Sequence, residues 1–484
     1  MSQVLTSPDS TIAALRPLCV DLDGTLVKSD TLVDSLLVLA RTHPALVFAL
    51  PFQVMRGKAA FKAFVTSHVS LDVAHLPYNR KLLQFLHDEH ARGRSIYLAT
   101  GADARLAERV AEHLGLFAGV LGSDGAVNLT GKRKLDRLRG ELGDGAYDYV
   151  GNDVPDLPLL AGAAENMVAN PSLRLRMRMR QRGIRPARSF VERARMPLPV
   201  LRAMRPHQWS KNLLIFLPLL LAHQVPLNLF LSGLLAFGCF SLTASSAYIV
   251  NDLLDIETDR RHQKKRMRPF ASGDLSAMAG IFVALVLLLV AFLGARLLPA
   301  AFFLWLLLYL GSTLAYTWYL KRIPLVDVLV LSGLYVLRLL AGSAATQSHI
   351  SHWLAGFSAF LFFSLAIVKR FAELENLRTT GMPPRNGRGY LVTDIEQLRS
   401  FGTASAFAAV VVFAIYISGS DVTLLYRRAQ MLWLIMPLLI LWLCRVWLLA
   451  SRGELNDDPL VFALTDATSL LIGAAVVIIA LLAI

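Results

Sequence analysis

Cysteine is scarce. The 484-residue chain holds three, Cys19, Cys239 and Cys444, far apart and without ligand spacing. That argues against a disulfide framework and against a zinc site. Acids are also in deficit: 35 Asp and Glu stand against 49 Lys and Arg, a net charge of +14. Such a balance can point to nucleic acid. Here the basic residues crowd the ends of apolar segments, where they fit the anionic cytoplasmic face of a bilayer, so the chain is read as binding no nucleic acid. Residues 1 to 15 have no basic stretch followed by an apolar core, which excludes a signal peptide as their reading. The first 196 residues also have no uninterrupted apolar run of spanning length. The longest, Ala45 to Val54, is short and flanked or broken by Arg41, His43, Pro44 and Pro51,. It reads as core, with contact to a bilayer as the open alternative.

What the chain does have is unevenly spread. Apolar residues make up 55% of it. Residues 1–196 read as a soluble α/β domain and residues 197–484 as a membrane domain. Nine apolar segments are expected, at about 210–224, 227–250, 276–296, 299–319, 325–345, 353–370, 399–418, 430–449 and 467–484,. Between the two parts, residues of about 171–210 carry eleven arginines and one acid, Glu192, and read as a juxtamembrane linker lying on anionic lipid,. Pro197 and Pro199 mark the boundary.

Within the first domain, the strand Pro17–Val20 runs into Asp21-Leu22-Asp23-Gly24-Thr25. Residues i and i+2 at a strand end point the same way, so Asp21 and Asp23 share one small volume. One carboxylate can attack phosphorus while the other gives and takes a proton. A second strand, 95–100, ends in Thr100. A third, 147–150, ends in Gly151-Asn152-Asp153-Val154-Pro155-Asp156. Lys132, Arg133 and Lys134 lie between them. Strands alternating with helical patterns predict a parallel sheet with its site at the carboxyl ends.

This order resembles the haloacid dehalogenase (HAD) superfamily. The resemblance implies a Rossmann-like parallel sheet with a helical cap at residues 27–94. It implies Asp21 as nucleophile, Asp23 as general acid and base, and Thr100 and Lys134 as phosphoryl holders. Asp21, Asp23, Asp153 and Asp156 are the expected Mg²⁺ ligands. The family often has Asp where this chain has Asn152.

At the end of a long apolar segment comes Asn251-Asp252-Leu253-Leu254-Asp255-Ile256-Glu257-Thr258-Asp259. On one helix Asp252, Asp255 and Asp259 fall within an arc of roughly 60°. Three carboxylates on one face repel unless a cation lies among them, and Mg²⁺ suits such oxygens together with substrate phosphates. A basic loop follows, with Lys265, Arg266 and Arg268. If the first domain is cytoplasmic, the loops on its side are rich in Lys and Arg, whereas Arg296, Arg427 and Arg428 lie opposite,. The C-terminus then faces away from the cytoplasm. Asp327, Tyr335 and Arg338 share a helix face that is expected to line a cavity, an internal network being the alternative. Lys369, Arg370 and Glu373 cluster near the end of the sixth segment, and Asp457, Asp458 and Asp466 flank the ninth.

The motif in a polytopic helical domain resembles the UbiA superfamily of intramembrane prenyltransferases. Four stretches are similar to its polyprenyl-phosphate phosphoribosyltransferase branch: Arg205–Asn212, Lys265–Pro269, Tyr335–Arg338 and Lys369–Leu374. The second aspartate-rich motif of prenyl-diphosphate users is not intact, since Leu331 follows Asp327 where an Asp is expected. The resemblance implies an all-α membrane domain in a bacterial-type inner membrane. It implies polyprenyl phosphate as acceptor, phosphoribosyl pyrophosphate as donor, and Mg²⁺ held by Asp252, Asp255 and Asp259. The implied substrate-binding residues are Asn251, Lys211, Lys265, Arg266, Arg268, Asp327, Tyr335, Arg338 and Lys369. The HAD-like domain would then remove the 5-phosphate from the product. The alternatives are prenyl transfer to an aromatic or other small acceptor, and a non-catalytic membrane scaffold.

Overall fold

The computed structural model describes residues 15–124, 127–143, 146–194, 196–223, 226–380, 388–455 and 459–484. Asp457, Asp458, Arg195 and Arg385 lie outside them. The chain forms two compact units. One holds Met1–Ala203 with Asp252–Val283, the other Met204–Asn251 with Ala284–Ile484. A single cut at 196/197 does not describe this packing, because the aspartate-rich segment and its basic loop belong with the first unit.

The first unit is built on six parallel strands in the order β3-β2-β1-β4-β5-β6. They are β1 (Leu18–Val20), β2 (Ile96–Asp103), β3 (Gly119–Ser123), β4 (Asp148–Gly151), β5 (Asn166–Ala169) and β6 (Arg188–Phe190). Alternate residues serve opposite faces. Leu18, Val20, Ile96, Leu98, Val150 and Met167 pack on one side; Cys19, Ala99, Tyr149 and Val168 pack on the other. Both faces are covered at the centre of the sheet, which is why β1, Ile96–Ala99 of β2 and the middles of β4 and β5 are apolar,.

The cap follows β1 as α1 (Thr31–Thr42), α2 (Pro44–Val47), α3 (Leu50–Met55) and α4 (Lys58–His68). Asp30 caps α1 through Leu32 N and Val33 N,. Then come α5 (Arg80–Ala91), α6 (Ala104–Leu114), α7 (Lys132–Leu142), α8 (Leu157–Gly162) and α9 (Leu173–Gln181). Phe48, Phe52, Val54 and Met55 on and beside α2 and α3 are exposed, Met55 by 84%. The apolar run 45–54 is therefore divided: Leu46 and Leu50 pack against the cluster of Val38, Leu39 and Leu71, while Phe48, Phe52 and Val54 are exposed.

The arginine-rich stretch corrects another expectation. Residues 171–190 are not a linker: Ser172 caps α9 through Leu175 N, Leu175 and Met179 anchor it in the core, and β6 completes the sheet beside β5.

In the second unit and its continuations, seven helices among the described residues are long and apolar enough to cross a membrane. They are Leu227–Leu254, Ala277–Ala295, Ala300–Trp318, Val326–Thr346, His352–Thr379, Val392–Ser418 and Ala429–Ser451. The expected count of nine is not confirmed among the described residues. The first expected segment is a 3₁₀ stretch, Pro206–Phe216, followed by the short helix Leu217–Leu221, and the ninth is a 17-residue helix, Ala467–Ala483. The 3₁₀ stretch packs closely: a Cβ on Gly342 would lie 2.1 Å from the Ile215 carbonyl oxygen.

Candidate functional sites

The first site lies at the carboxyl end of β1. Lys134, reaching in from α7, donates from Nζ to Asp21 Oδ1 at 2.8 Å and to Asp156 Oδ1 at 3.1 Å. Tyr149 OH donates to the same Asp156 oxygen at 2.8 Å. The other Asp156 oxygen accepts from the backbone of Asn152 and Asp153. Thr25 Oγ1 donates to Asp21 Oδ2 at 3.3 Å. Gly24, at φ +73°, turns the chain beneath Asn152; a Cβ there would sit 2.0 Å from Asn152 Nδ2,.

Burial decides the electrostatics. It lifts Asp21 to about 6, with Lys134 opposing and Asp156 adding to the rise. Burial also lifts Asp23 to about 8, helped by the charge of Asp30 and opposed by the Thr31 N–H. Burial pulls Lys134 down, but the Asp156 and Asp21 carboxylates outweigh it and hold the ammonium above its ordinary range. Burial thus raises Asp23 further than Asp21, whose carboxylate is held toward the ionised form by the Lys134 ammonium. That is the division of roles a general acid and a nucleophile require.

Asp23 Oδ1 accepts from Thr31 N at 2.8 Å and faces a cavity of about 140 Å³ shared with Asp30, Lys62 and Asp103. Lys62 comes from α4 in the cap, bonding the Gly101 carbonyl and, at 2.9 Å, Asn128 Oδ1. Sequence reasoning missed it, since no spacing links it to Asp23. Thr100 is buried, and its hydroxyl accepts from Ala102 N. Asp153 turns away to accept from Ser172 at 2.7 Å.

The second site departs from the helical-wheel expectation. The long helix ends at Leu254, and a new one, Ile256–Arg261, starts after Asp255. The three aspartates therefore do not share one continuous face. Arg268 Nη1 donates to Asp252 Oδ1 at 3.1 Å and Asp259 Oδ2 at 2.7 Å. Burial lifts the Asp259 carboxyl, and Arg268 counters. Asp255 instead pairs with Arg41 of α1 at 3.0 Å. That arginine also bonds Leu254 O and Thr258 Oγ1, each at 3.2 Å. One turn after Asp255, Arg260 is buried and donates to Asp34 of α1 at 2.8 Å and Ser29 at 3.1 Å. Lys265 and Arg266 lie in an exposed turn.

Among the described residues, no three His, Cys, Asp or Glu gather in a metal-holding group. Two carboxylates do converge on one cationic nitrogen at Arg268, and two more on Lys134. A pair of carboxylates completed by substrate phosphates is a donor set that fits Mg²⁺.

In the second unit the residues expected to share one cavity belong to separate networks. Asp327 is fully buried, paired with Arg370 at 2.6 Å and accepting from Tyr390. Arg370 also pairs with Glu373 and bonds Tyr316. Arg338 donates to Asn212 Oδ1 at 2.8 Å and Tyr309 OH at 3.1 Å, and lies over the Tyr335 ring. Asn212 reaches Ser241 at 3.0 Å. Lys211 lies 5.9 Å from the Tyr335 ring centre and lines an apolar cavity of about 240 Å³ with Leu213, Leu214 and Leu217. Asn251 accepts from Lys321 at 3.3 Å. Lys369 is half-buried beside Arg370. Asp327 thus lies in a network with Arg370 and Tyr390.

Residues 213–482 match the UbiA prenyltransferase family. An uncharacterized protein, y4nM, of Sinorhizobium fredii is 37% identical over 467 residues, covering 95% of this chain and 89% of the relative. Decaprenyl-phosphate phosphoribosyltransferase of Mycobacterium tuberculosis is 35% identical over 223 residues, 45% of this chain and 73% of that protein. A UbiA homolog from Archaeoglobus fulgidus, solved with GPP and Mg²⁺, is 20% identical with a TM-score of 0.45, covering 58% of this chain and 99% of that one. With a HAD-like sheet and motif order in its first unit and the family match over more than half its length, this integral membrane protein belongs to the UbiA prenyltransferase family.

Proposed function

We propose that the chain transfers 5-phosphoribose from phosphoribosyl pyrophosphate to a polyprenyl phosphate, and that its HAD-like unit then removes the 5-phosphate. The observation that carries the first step is the pair Asp252 and Asp259 converging on Arg268, in a chain similar to a decaprenyl-phosphate phosphoribosyltransferase. A lipid phosphate oxygen attacks the anomeric carbon, the C1–O bond breaks, and diphosphate leaves. Mg²⁺ held by Asp252 and Asp259 would neutralise the diphosphate charge. Arg268, Lys265 and Arg266 supply positive charge to the departing group. Lys211, at an apolar cavity, suits the acceptor's phosphate and first prenyl units better than Arg338, which is buried and bonded on several sides.

In the second step Asp21 attacks phosphorus while Asp23 gives its proton to the ribose O5, and the P–O5 bond breaks. Water then attacks the aspartyl-phosphate as Asp23 takes a proton, which frees phosphate and restores Asp21. Lys134 orients Asp21 and offsets phosphoryl charge. Lys62 supplies a cap-side cation at the acid.

The test uses radiolabelled phosphoribosyl pyrophosphate, a polyprenyl phosphate and Mg²⁺ with membranes holding the full chain. Label should enter the organic phase and be lost with Asp252→Ala. With Asp21→Asn the lipid product should keep its 5-phosphate. No organic-phase label from folded protein would overturn the transferase reading. Unchanged phosphate release by Asp21→Asn would overturn the phosphatase reading.

A further inference from the structure

The corrected fold of the arginine-rich stretch leaves a feature that neither reaction uses. Between α9, β6 and the chain after it runs a groove of about 1280 Å³. Arg176, Arg180, Arg185 and Arg193 line it, and no Asp or Glu is among its described lining residues. Of the seven arginines from Arg174 to Arg188, only Arg188 forms an ion pair among the described residues, with Glu165 at 3.6 Å. Among the described residues no ion pair neutralises Arg176, Arg180 or Arg185, and Arg193 has the charge of Asp274 near it.

Two buried donors add to it. Asn170, 6% exposed, follows β5 and lines the groove. Its Oδ1 accepts from Glu192 N at 2.9 Å and Arg193 N at 3.1 Å, while its Nδ2 has no partner among the described residues. Arg193 gives one end of its guanidinium to the Lys28 carbonyl, yet its Nε is also buried without a partner among the described residues. A buried donor left unmade costs stability unless a ligand takes it up. Phosphate oxygens accept from amides and guanidinium groups alike.

The rim distinguishes a lipid from a soluble phosphate. Leu173 and Met177 are 75% and 58% exposed. They stand at i and i+4 on the face that carries Arg176 and Arg180, while Leu175 and Met179 hold the opposite face in the core,. Apolar and cationic side chains on one exposed stripe are the pattern of a helix lying at a lipid surface. A soluble sugar phosphate would leave Leu173 and Met177 without a role.

We propose that this groove binds the phosphate headgroup of an anionic phospholipid, with Asn170 Nδ2 and the four arginines on the phosphate and Leu173 and Met177 among the first acyl carbons. The site is separate from both reactions and stands whether or not they are assigned correctly. It is a lipid-docking site on the HAD-like unit.

The test uses the full chain in nanodiscs of phosphatidylcholine alone or mixed with phosphatidylglycerol. The exposed Cys444 is replaced (Cys444→Ser), and an environment-sensitive fluorophore is attached at Met177→Cys. A blue shift is expected with phosphatidylglycerol and not with phosphatidylcholine alone. Arg176→Gln with Arg180→Gln, two changes on an exposed helix face, should raise the phosphatidylglycerol fraction needed by about tenfold or more. Asn170→Asp keeps the Oδ1 acceptor but turns the free donor into a charged oxygen, and should abolish the shift. Equal signals in both lipids would overturn the proposal. So would a shift that survives both sets of substitutions, which would mean attraction without a built site. Full competition by excess inorganic phosphate would reassign the groove to a soluble ligand.

Discussion

Replacing Arg260 by Met tests how the cap helix is tied to the aspartate-rich segment. The Arg260 side chain is 4% exposed and that of Asp34 1%. Their 2.8 Å pair is supported by Ser29, which bonds both. Among the described residues, Arg260→Met strands the Asp34 carboxylate with the Ser29 hydroxyl at 2.7 Å. Leaving one partner of a buried pair uncompensated costs about 3–5 kcal/mol. Removing both, as Arg260→Met with Asp34→Leu, should cost far less, because no charge is left behind. The assay is amide hydrogen exchange in the full chain, read over Asp252–Val283. The single variant should speed exchange there by roughly a hundredfold to a few thousandfold, and the double variant should return most of that protection. Additive effects of the two substitutions, or unchanged exchange in Arg260→Met, would refute the reasoning.

Gly24→Ala forces a methyl against Asn152 Nδ2 at a left-handed φ, so phosphate release should fall while label transfer to lipid persists; parallel assays on one preparation check both. Lys134→Met removes the ammonium between Asp21 and Asp156, and phosphate release should drop by about a hundredfold or more in kcat. Chelating divalent cations should stop label transfer, as should Asp252→Asn or Asp259→Asn, and adding back Mg²⁺ should restore only the unsubstituted chain. Arg41→Ala frees Asp255 from α1. Label transfer that survives Arg41→Ala but not Asp255→Asn would assign Asp255 to the diphosphate site, whereas equal losses would assign it to holding the cap.

The two sites differ in how far they were legible. Asp21 and Asp23 are two residues apart at a strand end, and a strand's period of two fixes their geometry without the rest of the fold. Lys134 and Asp156 came with the order of the motifs, and they meet Asp21 through one ammonium. Lys62 and Tyr149 join them from 39 residues before Gly101 and 15 after Lys134. Nothing local announces such contacts. The arginine-rich stretch misled for a related reason. With Arg at every second position from 174 to 182, composition hid the single pair, Leu175 and Met179, that seats α9 in the core. β6 is three residues of Arg-Ser-Phe, too short for alternation to show,.

The aspartate cluster shows the limit most clearly. Treating Asp252, Asp255 and Asp259 as one face assumed an unbroken helix, and the break at Asp255 removes that assumption. Once the helix restarts, each carboxylate is free to satisfy its own charge. Asp252 and Asp259 meet at Arg268, 16 and 9 residues on, within reach of a sequence argument. Asp255 meets Arg41, more than two hundred residues back, which is not. Buried or half-buried carboxylates cannot stay uncompensated, so spacing could say that these acids needed cations. Only the fold says that the protein itself supplies two arginines for them, and that α1, whose first N–H bonds Asp23, is the element that brings one of the two.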